Sequence, residues 1–170
     1  SHAATLSFHA IKHMTTGEGG VLLTNDDNLA ERARLFRSHG ITRDTSAMVN
    51  SNDAGAPWYY EMHRLGFNYR LSEINCALCL NQVKRLSANI QRRQERAELY
   101  HSFLGDLDAL RLPETVPLNG TTHAWHLFAP AFDFDQIGKS RKQVMAELAD
   151  KGIGTQVHYI PLYRQPYYLE

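Results

Sequence analysis

The chain has 170 residues, 43% of them apolar and 10% aromatic, which suits one ordinary domain with enough apolar material for a core. Lys plus Arg balance Asp plus Glu at 18 each, so the molecule as a whole offers no electrostatic footprint for nucleic acid or an anionic membrane surface. No apolar stretch approaches the ~20 residues that cross a bilayer, and the first residues lack a charged-then-apolar signal pattern, so the expected location is the cytoplasm.

In chain order, residues 5 to 9 and 21 to 24 read as short buried strands on either side of a turn rich in Gly17, Gly19 and Gly20. Lys12 lies on that turn. An amine attacks a carbonyl only when neutral, and a lysine held in a desolvated pocket beside other cationic groups is the kind that forms Schiff bases. The glycines let backbone approach a flat ligand closely. Pyridoxal phosphate is therefore the leading cofactor, set against the plainer alternative that Lys12 is one more basic residue on a loop. The cluster Asn25, Asp26, Asp27 and Asn28 offers N-caps for a helix through Leu29, Ala33, Leu35 and Phe36, with Gly40 as its stop.

Residues 41 to 63 are polar and small, a long loop ending in Trp58, Tyr59 and Tyr60, which either pack near a site or anchor into the core. Ser72 caps a helix whose first turn carries Glu73. No Gly or Pro follows until Gly105, and Cys76, Leu80, Val83, Leu86, Ile90, Ala97, Tyr100 and Leu104 recur at helical spacing, giving one long amphipathic helix or two continuous ones. Its basic face, with Arg92, Arg93 and Arg96 among Glu95 and Glu98, needs no nucleic-acid partner. Cys76 and Cys79 lie inside this pattern as small hydrophobes, and His9 with His13 lacks a further ligand, so no metal is predicted. After Pro113 and Pro117, residues 126 to 132 read as a strand, 140 to 151 as a helix ended by Gly152, and 155 to 159 as a final strand, together a small α+β layer.

Four segments, in order, resemble one family along almost the whole chain. They are Ser7-Phe8-His9-Ala10-Ile11-Lys12-His13 with the glycines after it, Leu65-Gly66-Phe67-Asn68-Tyr69-Arg70-Leu71-Ser72-Glu73-Ile74, His123-Ala124-Trp125-His126-Leu127-Phe128, and the run from Gly152 to Leu162. They are similar to the DegT/StrS-type sugar-nucleotide aminotransferases. The last segment looks most like the branch that aminates 4-keto, 6-deoxy UDP-N-acetylhexosamines, as in the pseudaminic acid pathway.

The resemblance implies an α/β chain: part of a fold-type-I pyridoxal-phosphate aminotransferase large domain (residues 1–71), a long connecting helix (72–104) and a smaller C-terminal α+β domain (105–170). It implies that Lys12 carries the cofactor and that Ser7 binds the cofactor phosphate, as does Asn68 from the partner subunit of a homodimer. Glutamate would be the amino donor. Gln156, Val157, His158 and Tyr159 would line the sugar-nucleotide side, against the alternative of an ordinary edge strand. In the family the cofactor lysine follows more than half of the large domain, so the chain looks truncated and inactive by itself, and Leu169-Glu170 looks like a vector remnant. Two other classes remain open: a relative that binds the cofactor without transaminating, as dehydratase or regulator, and an assembly module built on the helix at 72–104.

Overall fold

The computed structural model describes residues 2–50, 52–114 and 120–169. Ser51 of the long loop, Pro117 of the proline stretch and Glu170 of the suspected remnant lie outside them. Two compact units are present: residues 1–95 with 124–126, and residues 96–123 with 127–170.

In the first unit, β1 (Ala3–Ser7) and β2 (Gly20–Thr24) pair antiparallel, from Ala3 opposite Thr24 to Ser7 opposite Gly20. The lysine turn thus spans the open end of a hairpin. Helix α1 (Asp27–Arg37) starts where Asp26 accepts a hydrogen bond from the Leu29 N–H at 3.1 Å, with Asp27 in its first turn and Arg34 and Arg37 in its last. It stops at Gly40, whose N–H donates to the Leu35 carbonyl at φ +68°. A Cβ here would lie 1.8 Å from the Arg64 carbonyl oxygen, so only glycine fits.

That close approach brings residues 61–69 back to α1. β3 (Ile41–Thr42) pairs antiparallel with β4 (Glu61–Met62), the Phe67 N–H donates to Phe36 O at 2.7 Å, and Asn68 bridges Ser38. The segment read as a plain loop therefore holds two short strands and a 3-10 turn at Thr45–Ala47. Trp58 and Tyr60 are 65% and 51% exposed, which corrects the core-anchor reading.

Helix α2 (Glu73–Leu104) is a single element, capped where Ser72 Oγ accepts from the Asn75 N–H, and the division between the units falls within it after Glu95. Cys76 and Cys79 are free and half-buried.

In the second unit, β5 (Leu110–Arg111) pairs antiparallel with β6 (Ala131–Phe132), and Phe128 stacks on Tyr100 at 4.8 Å. A short helix α3 (Phe134–Ile137) precedes α4 (Arg141–Asp150), which opens on a capping box between Ser140 and Gln143. Two strand expectations need correction. The strand expected over 126–132 shrinks to Ala131–Phe132, after a left-handed Trp125 (φ +47°) and Pro130, neither of which continues a ladder. Residues 155–159 form no strand and are exposed; a strand exists only with a neighbour to take its N–H and C=O groups, and among the described residues none pairs there.

Strands and helices are interspersed along the chain, and every sheet among the described residues is two-stranded and antiparallel. Such pairs enclose little. Among the described residues only Phe8 and Ala97 are buried apolar side chains, while Leu6, Leu22 and Leu23 remain 40–50% exposed, so the apolar content does not become the core that composition suggested.

Candidate active site

The lysine turn is closed by its own hydrogen bonds. Phe8 N–H donates to Gly19 O at 2.8 Å and Thr16 N–H to Phe8 O at 2.9 Å, which ties the two ends together. Lys12 N–H donates to His9 O at 3.0 Å, forming a tight bend at the lysine. Thr16, 1% exposed, donates through Oγ1 to Glu18 O at 2.7 Å, and its carbonyl accepts from the Asn75 amide in the first turn of α2. Buried polar groups must be satisfied in this way, and here the requirement pins the turn to the helix. Gly19 sits at φ +144°, and a Cβ on it would approach Thr16 Oγ1 to 2.7 Å and Leu71 Cδ1 to 2.9 Å.

Lys12 is half-buried, and its Nζ lies 3.2 Å from Nε2 of His126. His126 reaches it on a short strut: the Ala124 carbonyl accepts from His13 Nε2 at 2.8 Å and the Trp125 carbonyl from Arg93 at 3.0 Å. Ser7, the last residue of β1, accepts the His9 N–H at 3.3 Å through Oγ, which leaves its own proton to donate. Asn68 is exposed, in its bridge to Ser38.

The other predicted residues behave differently. Gln156, Val157, His158 and Tyr159 are all exposed on irregular backbone in the second unit, with the His158 and Tyr159 rings 3.9 Å apart. They do not form the final strand expected over 155–159.

Two groups in the first unit carried no predicted role. His126 was read only as the start of a strand and as part of a family-like segment. Glu61 is a buried carboxylate that accepts from the backbone N–H groups of Val49 and Asn50 at 2.8 Å each, from Tyr59 Oη at 3.0 Å and from His63 Nε2 at 2.7 Å. The Val49 N–H, then His63 and the Asn50 N–H, hold its carboxyl down at about 2. Tyr59 and His63, two residues to either side, were the available signal, since that spacing puts all three on one face of an extended strand.

A profile of the DegT/DnrJ/EryC1/StrS aminotransferase family matches residues 1–170. The chain is 36% identical over 167 residues to the spore coat polysaccharide biosynthesis protein SpsC of Bacillus subtilis (strain 168), covering 98% of this chain and 42% of that protein. Its fold matches Helicobacter pylori PseC, an aminotransferase involved in the biosynthesis of pseudoaminic acid, with TM-score 0.82 and 33% identity over 99% of this chain and 42% of that one. It also matches the aminotransferase TlmJ from Streptoalloteichus hindustanus, with TM-score 0.80 and 30% identity over 98% of this chain and 40% of that one. The chain thus spans about two fifths of the length of these relatives. Aminotransferases of this family are pyridoxal-phosphate enzymes. On a match that runs its full length, the chain belongs to the DegT/DnrJ/EryC1/StrS aminotransferase family.

Proposed function

We propose that this chain is the lysine-bearing part of a pyridoxal-phosphate-dependent sugar aminotransferase that moves an amino group from glutamate to the 4-keto position of a UDP-linked deoxy-sugar. The observation that carries the reading is Lys12, half-buried on a hydrogen-bonded glycine turn with its amine against an imidazole. The residues fit the cofactor: a primary amine at Lys12 for its aldehyde and a hydroxyl proton at Ser7 for a phosphate oxygen. Pyridoxal phosphate, when bound, supplies the electron sink.

Everything else falls to the protein. Lys12 would hold the cofactor through its amine and would serve as the group that carries the proton across the substrate. Ser7 donates to the phosphate, and Asn68 reaches the phosphate of the partner subunit's site in a homodimer. Gln156, Val157, His158 and Tyr159 bind the sugar nucleotide, a reading supported by the segment's resemblance and by its four exposed side chains. In this reading residues 1–71 belong to the cofactor domain, 72–104 to a connecting helix and 105–170 to the small domain. The enzyme works in the cytoplasm on a precursor of a surface glycan, the latter supported by the likeness to SpsC, a spore coat polysaccharide biosynthesis protein.

Borohydride reduction of the loaded, intact protein followed by peptide mapping should locate the pyridoxyl group on Lys12. Glutamate alone should bleach the visible absorbance, and Lys12→Ala should abolish both results. A pyridoxyl group on another lysine overturns the assignment.

A further inference from the structure

Lys12 sits in a loop whose ends meet at Phe8 and Thr16, and a side chain from 59 residues away fastens this meeting point to α2. The Phe8 carbonyl accepts from the Thr16 N–H at 2.9 Å and from Thr15 Oγ1 at 3.2 Å. Thr16 is buried, so its own carbonyl would be an unpaired acceptor away from water without the hydrogen that the Asn75 amide gives it. A carbonyl only accepts. Asn75 must therefore present Nδ2 to Thr16 O and Oδ1 to Ser72 Oγ, which donates to it, while the Asn75 N–H returns a bond to that same hydroxyl at 3.3 Å. The amide is thus gripped at both ends, on the first turn of a 32-residue helix.

We propose that Asn75 is a positioning residue for Lys12, an inference that rests on Lys12 being the lysine that holds the cofactor. The bonds between Phe8 and Thr16 set the shape of the lysine loop, but they do not set where that loop stands. Asn75 does, by registering its base against α2. Leu71, at the entry to the helix, closes on the backbone of Gly19 from the same side, so that a Cβ there would meet its Cδ1 at 2.9 Å. A lysine that must meet one carbon of its ligand tolerates little drift, since a misplacement of about 1 Å can cost on the order of a hundredfold in rate. Asn75 thus acts on the amine through Thr16.

Asn75→Asp separates positioning from stability. The carboxylate has the size of the amide and suits the first turn of a helix, where negative charge is favoured, but it has no hydrogen for Thr16 O. In the intact, cofactor-free protein, hydrogen exchange read by peptide mass spectrometry should speed up about 5- to 100-fold over residues 8–19, while residues 80–104 of α2 exchange at the parental rate. In the loaded protein, kcat with glutamate as donor should fall at least about tenfold, with KM for glutamate changed by less than about twofold. Asn75→Ala, which removes the donor without adding a charge, should show the same pattern. Unchanged exchange over residues 8–19 overturns the proposal. So does faster exchange with kcat unchanged, since Lys12 would then not depend on this bond. Equal acceleration along α2 with a lower melting temperature also overturns it, because that marks a general structural role. The exchange measurement needs no cofactor, so a pyridoxyl group found on another lysine would fail the functional reading while leaving the fastening of the loop readable.

Discussion

The lysine turn and the segment after α4 were both read as parts of a site, but they are built in opposite ways. Between Phe8 and Gly19 the backbone closes on itself, and Thr16 and Asn75 fasten it to α2. From Ile153 to Tyr159 there is no ladder, no buried residue, and open space around Gly154. A segment whose polar groups are satisfied nearby takes its shape from its own residues and one neighbour, whereas a strand needs a partner along its whole length. The first kind can be read from a motif. The second cannot.

The sharpest way to break this contrast is Gly19→Ala. At φ +144°, with Thr16 Oγ1 at 2.7 Å, the added methyl must displace a buried hydroxyl and adopt a backbone state that side chains avoid. A loss of roughly 2–4 kcal/mol is expected in denaturant unfolding of the intact protein. Thr16→Val comes next. It removes the donor to Glu18 O while keeping the volume, and should cost about 1–2 kcal/mol in the same measurement.

Glu61 extends the comparison to acid. Its folded-state pKa, about 2, lies below the ordinary 4.5, so the folded chain binds this proton less readily than the unfolded one. Its contribution to stability is complete above the ordinary value and disappears as pH falls from there through about 2. Glu61→Gln should lower the melting temperature at neutral pH, and the gap to the parent should narrow as the pH approaches 2. A gap independent of pH would show that the hydrogen bonds made by Glu61 do not favour its ionised form. Smallest of all should be Gly154→Ala, which meets nothing within 4 Å and should leave stability within about 0.5 kcal/mol. A larger loss would show that the exposed segment is held after all.

What was legible in the sequence follows the same division. Asp26, Ser72 and Ser140 all cap the helices they were read as starting or stand beside, because a cap acts within one turn. α2 was legible because an uninterrupted helical pattern is a local property. The strands over 126–132 and 155–159 were overdrawn, since alternating or apolar residues do not report whether a partner is present. His126 was invisible as a neighbour of Lys12 for the same reason, their contact being separated by most of the chain. Glu61 escaped notice because two of its donors, Val49 and Asn50, sit across a loop that composition described only as irregular.

The closure of the lysine turn has a thermodynamic consequence. Fixing a residue's backbone costs roughly 1–2 kcal/mol in conformational entropy, and from Phe8 to Gly19 that cost is met when the protein folds. A ligand arriving at Lys12 then has little loop left to order. Calorimetry of cofactor binding to the stripped intact protein should therefore show a heat-capacity change no larger than the ligand's own buried surface explains, without the added term of a segment that folds as it binds.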